Sequence, residues 1–251
     1  MKRVLVTGGS SGIGAATVRR LASDGWQVIA AARRSERLEA LAAEVGPAVT
    51  PFTVDITCDD SVAALTDFLR DTGGLDAVVN NAGGALGMDR VDQGNLHQWQ
   101  DMYNLNVLGT LRVTQAVMPF LRVAAQRTGG SDIVVITSTA ALDPYEGGAG
   151  YTSAKHAERV LATTLRWELA GEPLRVIQIS PGAVETEEFS LNRFAGDADR
   201  AAATYDGFTP LVAEDIAEAI SWTLSLPTHV NIDQLTIRPR AQVNNWKTAR
   251  S

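Results

Sequence analysis

Seven short apolar runs, each lacking a clean polar alternation, punctuate this chain and constrain its fold more than any other feature. They are Arg3–Thr7, Gln27–Ala31, Val49–Val54, Ala77–Asn80, Ile133–Thr137, Arg175–Ile179 and Leu235–Arg238. A strand that is apolar on both faces must be covered on both, and a parallel sheet flanked by helices does this. Helical patterns fill the intervals: Ala15–Ser23, Arg37–Val45, Ser61–Asp71, Leu96–Leu121, Ala154–Ala170 and Ala213–Ser225. The alternation predicts one doubly wound α/β domain over residues 1–251, with a seven-stranded parallel sheet and right-handed crossovers. One long irregular zone, Thr186–Pro210, reads as a substrate lid.

The turn after the first strand, Thr7-Gly8-Gly9-Ser10-Ser11-Gly12-Ile13-Gly14, opens the first helix. Glycines there let the backbone approach a phosphate, and the helix N-terminus offers free N–H groups and a favourable dipole. Gly8, Ser10, Ser11, Gly12, Ile13 and Gly14 are therefore cofactor candidates in a Rossmann domain. The second strand ends in Arg33 and Arg34, with no acid from Gln27 to Arg34. An acid at this point reads a free ribose 2′-hydroxyl, whereas arginine suits a 2′-phosphate, so the pattern favours NADP over NAD. The alternative is a solvated pair, with Glu36 neutralising one arginine. Asp55, followed by Ile56, closes the third strand where an adenine amino group would lie. Asn80-Asn81-Ala82-Gly83 follows the fourth strand and would line the adenosine side of the cleft.

Tyr151 and Lys155 stand four residues apart, on one helix face, with Ser138 thirteen residues upstream of the tyrosine. A free phenol ionises near pH 10, and a neighbouring ammonium favours the phenolate, which makes such a pair usable for proton transfer to a carbonyl or from an alcohol. Taken together, the glycine turn, Asn81-Ala82-Gly83, Asn106 in Asn106-Val107-Leu108-Gly109-Thr110, Ser138, Tyr151, Lys155 and Pro181-Gly182-Ala183-Val184-Glu185-Thr186 resemble the short-chain dehydrogenase/reductase family across nearly the whole chain. That resemblance implies that Ser138 orients the substrate oxygen and Tyr151 exchanges the proton. It also implies that Lys155 binds the nicotinamide ribose and that Asn106 holds a proton-relaying water. Thr186, with Pro181, Gly182 and Val184, would grip the nicotinamide and pyrophosphate.

The segments from Val184 to Phe194 and from Pro227 to Asp233, with Ala85-Leu86-Gly87-Met88, are similar to the NADP-dependent serine and 3-hydroxy acid dehydrogenase branch. Arg193 is the candidate for the substrate carboxylate, because a guanidinium meets a carboxylate bidentately. The alternatives are a carbonyl reductase for a hydrophobic ketone, aldehyde or 3-oxoacyl thioester, and a non-catalytic dinucleotide-binding sensor. The resemblance implies a homotetramer or homodimer paired through the long helices, although their apolar faces could equally be internal core. The tail from Arg240 either covers a neighbouring subunit or is disordered.

A net charge of −7 argues against nucleic acid, which needs a basic face. Cys58 is the only cysteine, and His97, His156 and His229 are not spaced as metal ligands, so neither a disulfide nor a metal site is expected. No signal pattern or long apolar stretch appears, and the expectation is a soluble cytoplasmic protein without membrane contact.

Overall fold

The computed structural model describes residues 1–251. In chain order the elements are β1 (Arg3–Thr7), α1 (Gly12–Ser23), β2 (Gln27–Ala32), α2 (Ser35–Val45), β3 (Val49–Thr53), α3 (Asp59–Asp71), β4 (Ala77–Asn80) and α4 (Leu96–Tyr103). There follow α5 (Thr110–Thr128), β5 (Ser131–Ile136), α6 (Ala149–Glu168), β6 (Leu174–Pro181) and β7 (Val184–Glu185). The chain closes with α7 (Phe189–Arg193), α8 (Ala198–Ala203), β8 (Leu211–Val212), α9 (Ala213–Ser225) and β9 (Gln234–Ile237). Seven strands form one parallel sheet in the order β3-β2-β1-β4-β5-β6-β9.

The strand pleat divides the apolar side chains between two cores. Val4, Val6, Val28, Ala30, Val79, Val134 and Ile177 point to the side covered by α1, α2 and α9. Leu5, Ile29, Ala31, Val78, Ile133, Val135 and Val176 point to the side covered by α3, α5 and α6. A strand buried on both faces cannot alternate polar with apolar, so the runs in the sequence follow directly from this packing.

Strand order reverses between β1 and β4, and the crevice outside their carboxyl ends is where such sheets take ligands. Three features differ from the sequence-based expectation. The helix expected over Leu96–Leu121 is split by a π turn at Asn104–Gly109 and continues to Thr128. The Asn106 side chain explains the break: Nδ2 donates to the Met102 carbonyl at 2.7 Å, in competition with the regular helix ladder. The helix expected from Ala154 begins at Ala149, so Tyr151 lies in its first turn. Finally, the zone 186–210 contains α7 and α8 and is flanked by a β7–β8 parallel pair. No helix is long and apolar enough to cross a membrane.

Candidate active site

The ends of β1 and β4 are tied together at the crevice. Thr7 Oγ1 accepts from the amides of Asn81 and Ala82, both at 3.0 Å, and Asn81 Nδ2 donates to the Thr7 carbonyl at 2.9 Å. Gly8 and Gly12 have positive φ, 66° and 49°, and so need glycine. A Cβ at Gly14 would stand 2.1 Å from the Gly8 carbonyl oxygen. Ser11 caps α1 with no side-chain hydrogen bond to its amides, and no acid occupies the first turn. The resulting cradle of free amides, with space a Cβ would fill, suits a phosphate.

At the rim of this cradle, Arg34 Nη2 reaches Ser10 Oγ at 3.1 Å, Ser11 Oγ at 3.0 Å and Glu188 Oε2 at 2.8 Å. Glu188 Oε2 also accepts from Ser11 Oγ at 2.8 Å, and Arg37 adds a second cation at 2.8 Å. The acid that neutralises Arg34 is therefore Glu188, from the far segment 186–210, and not the neighbouring Glu36. The hydrogen bond from Arg34 holds the Glu188 carboxyl below the usual carboxylate range, with burial opposing and Ser11 and Arg37 assisting. Arg33 is exposed, and its charge acts on Asp55. Burial would raise the Asp55 carboxyl, but hydrogen bonds from the Thr57 amide (2.9 Å) and hydroxyl (2.7 Å), with the Arg33 charge, bring it below its ordinary value. Ile56 is buried beside Gly109.

Deeper in the crevice the structure assembles Asn106, Ser138, Tyr151 and Lys155. Asn106 is clamped to Gly84, accepting from its amide at 3.1 Å and donating to its carbonyl at 2.9 Å. A Cβ on Gly83 would sit 2.7 Å from Asn106 Oδ1 and 3.2 Å from Lys155 Nζ, so the Gly83 backbone packs directly on both. Ser138 follows β5, and its Oγ accepts from the Ala140 amide at 3.1 Å. Thr137 is engaged with the Ile179 carbonyl and Ser180, and Thr139 with Asn245. Lys155 Nζ donates to the Ile136 carbonyl at 3.0 Å and to Glu158 Oε2 at 2.6 Å. Burial alone would lower the Lys155 ammonium, but Glu158 and Tyr151 hold it above its ordinary value.

The segment after β7 closes over these groups. Thr186 side-chain atoms lie 3.3 Å from where a Gly12 Cβ would be, so β6, through Pro181, Gly182 and Val184, leads the chain back to the glycine turn. Phe189 meets the Tyr151 ring edge-on at 5.8 Å between centroids. The Arg193 guanidinium lies 5.3 Å from the Tyr145 ring centre and 5.9 Å from that of Tyr151. Its Nε reaches the Gly87 carbonyl at 3.4 Å, while its Nη2 is buried with no hydrogen-bond partner.

Sequence reasoning missed Glu158, Glu188, Tyr145 and the tail. An acid three residues after Lys155 was a readable signal for the first; the others meet their partners only through the fold. The tail packs on its own chain: Asn245 bonds both oxygen atoms of Thr139, and Gln242 accepts from the Ala183 amide at 2.9 Å. The Ser251 amide donates to the Gly207 carbonyl at 2.9 Å.

A parallel sheet with this switch point, a phosphate cradle and a buried Tyr–Lys pair beside it define a dinucleotide-dependent oxidoreductase. The chain belongs to the short-chain dehydrogenase family, whose model matches residues 2–193. It is 52% identical over 249 residues to an uncharacterized oxidoreductase of Mycobacterium tuberculosis, covering 99% of this chain and 95% of that one. It is 42% identical over 240 residues to the serine 3-dehydrogenase of Agrobacterium fabrum, covering 94% and 93%. Among solved structures, the closed form of serine dehydrogenase complexed with NADP+ superposes with a TM-score of 0.91 at 35% identity, covering 99% of each chain.

Proposed function

We propose that this protein is an NADP-dependent dehydrogenase acting on a small 3-hydroxy acid of the serine type, or on its carbonyl product in reverse. The observation that carries the substrate class is Arg193, whose buried Nη2 lacks a partner while its guanidinium lies against Tyr151. A buried charged donor without an acceptor is costly, and a substrate carboxylate would satisfy it. NADP is supported by Arg34 beside Ser10 and Ser11, and by the NADP+ in the similar serine dehydrogenase.

A 2′-phosphate falls to Arg33, Arg34 and Ser10, and the pyrophosphate to Gly8 and the Ser11–Gly14 backbone. Asp55 and Ile56 take the adenine, with Asn81, Ala82 and Gly83 along the adenosine. Lys155, Tyr151, Pro181, Gly182, Val184 and Thr186 take the nicotinamide half. When bound, the dinucleotide accepts or returns the hydride. Ser138 Oγ holds the substrate oxygen, and Tyr151 takes the hydroxyl proton on oxidation and gives it back on reduction. The Lys155 ammonium stabilises the phenolate, and Asn106 holds the water that carries the proton toward solvent. Residues 186–210 act as the lid. Exposed Val123 on α5, with Val160 and Trp167 on α6, suits pairing of copies through these helices as a homodimer or homotetramer.

The test is NADP+ reduction followed at 340 nm with L-serine, 3-hydroxypropionate and 3-hydroxyisobutyrate, with NAD+ in parallel. Turnover favouring NADP+ is expected. Arg193→Ala is expected to raise KM for these acids about 10- to 100-fold, the worth of a charge-assisted pair, and far less for a neutral alcohol. Silence on all three acids, with NADPH consumed against hydrophobic ketones, would replace the substrate class and keep the family.

A further inference from the structure

The Tyr151 face of α6 carries Tyr151, Lys155, Glu158 and Ala162 in successive turns. Glu158 stands 0% exposed and Lys155 3% exposed, so this carboxylate is fully inside the protein. Its partners are Lys155 Nζ at 2.6 Å and, from α5, Thr110 Oγ1 at 3.0 Å. From β5 the Ile136 carbonyl takes another Lys155 donor. The other polar groups nearby on α6 face elsewhere: His156 Nδ1 meets the Thr152 carbonyl at 2.8 Å, and Arg159 leans toward the Ala141 carbonyl. Against the Tyr151 ring stands Arg193, which also lies over the Tyr145 ring, and over Lys155 stand Gly83 and Asn106.

A buried ion pair is a weak source of stability, because desolvation of two charges offsets most of their attraction. An apolar residue at position 158 would pack against α5 but would leave the buried Lys155 ammonium without its partner. The position of Glu158 is what gives it a consequence: it is in direct contact with the Lys155 ammonium, on the helix that also carries Tyr151.

We propose that Glu158 is a positioning residue for the reaction, which anchors Lys155 as a buried ion pair, thereby setting the pH range over which Tyr151 exchanges its proton. This inference rests on the role given to Tyr151 above. In the oxidative direction the substrate hydroxyl proton passes to the tyrosinate, so turnover rises with pH as the phenolate forms. The Lys155 ammonium favours the phenolate, and the carboxylate in contact with it keeps that ammonium charged against its burial. Removing the carboxylate lets burial strip the charge, so the rise should move to higher pH. Consistent with a tight pair, Lys155 is held above its ordinary value despite its burial. Burial raises the Glu158 carboxyl, against the opposing pull of Lys155 and Thr110.

The test is the pH dependence of kcat for NADP+ reduction in full-length wild type, Glu158→Gln, Glu158→Asp, Thr110→Val and Tyr151→Phe, with NADPH binding checked for each. Glu158→Gln should shift the ascending limb about one pH unit toward alkali. Thr110→Val, which loosens the carboxylate, should shift it the same way by less. Glu158→Asp, which keeps the charge, should hold the wild-type limb. An unmoved or acid-shifted limb in Glu158→Gln would overturn the proposal. If Glu158→Gln does not fold, Thr110→Val and Glu158→Asp decide: a shift in the first alone supports it, and none in either overturns it. Tyr151→Phe separates the two levels. Near wild-type turnover there would remove the proton-exchange role itself, whereas an inactive Tyr151→Phe with an unmoved Glu158→Gln limb would remove only the role of Glu158.

Discussion

Of the glutamates that grip cations in this protein, two belong to the site, one under the catalytic floor and one on the rim of the cofactor crevice. Glu158 meets Lys155 where both side chains are almost wholly buried, at 1% and 4% exposure. Glu188 meets Arg34 with the arginine side chain 44% exposed. Similar contact distances therefore have very different energetic meaning. At the floor, water cannot replace a lost partner, so both groups must stay together. At the rim, solvent or a ligand phosphate can take either group, so the contact can exchange. The comparison separates a part built to stay from a part able to open.

The largest effect should come from the floor. Glu158→Ala leaves an unpaired buried ammonium and should cost about 3–5 kcal/mol of stability, read from denaturant unfolding of the apoprotein. A loss below about 1 kcal/mol would erase the distinction. At the rim, Glu188→Ala should change stability by no more than about 1 kcal/mol. The same change should tighten NADPH about two- to five-fold, with NADH unaffected, because the carboxylate and a 2′-phosphate compete for Arg34. Fluorescence titration of the two reduced dinucleotides gives the ratio, and an equal effect on both would break the competition argument.

The smallest effect is in pH. Glu188 lies below the usual carboxylate range because of Arg34, so its contribution is present above its unfolded value, near pH 4.3, and is lost as pH falls through the lowered folded value. The segment 186–210 should therefore stay latched at neutral pH. Limited pepsin digestion should cut it only as pH falls below about 4, and Glu188→Gln should remove that dependence. Cleavage that begins equally in both at higher pH would mean the latch is not what holds the segment.

Much of the architecture was legible because its signals are local. A strand buried on both faces must read apolar throughout, and the phosphate turn needs glycine where φ is positive or a Cβ would collide, as at Gly8, Gly12 and Gly14. The start of the helix at Ala149 is hidden in the sequence because Gly147, Gly148 and Gly150 weaken the helical signal there. The π turn at Asn104–Gly109 was not legible, since Asn106 distorts its helix in order to reach Gly84, a partner in another loop. Among the site residues, the spacing of Tyr151 and Lys155 showed a shared helix face, but nothing local revealed that Asn245 would clasp Thr139 beside Ser138.

By itself the sequence determined the doubly wound sheet, the phosphate turn after β1 and the face shared by Tyr151 and Lys155. Each depends on burial periodicity, backbone sterics or helical spacing within a few residues. Only the tertiary structure decided that Glu188 sits against Arg34 across 154 positions, that Arg193 reaches Tyr151 with an unsatisfied donor, and that the tail braces the Ser138 loop. Those contacts join charges and hydrogen-bonding groups far apart in the chain, and such groups recognise each other by position in space, which no local pattern of residues encodes.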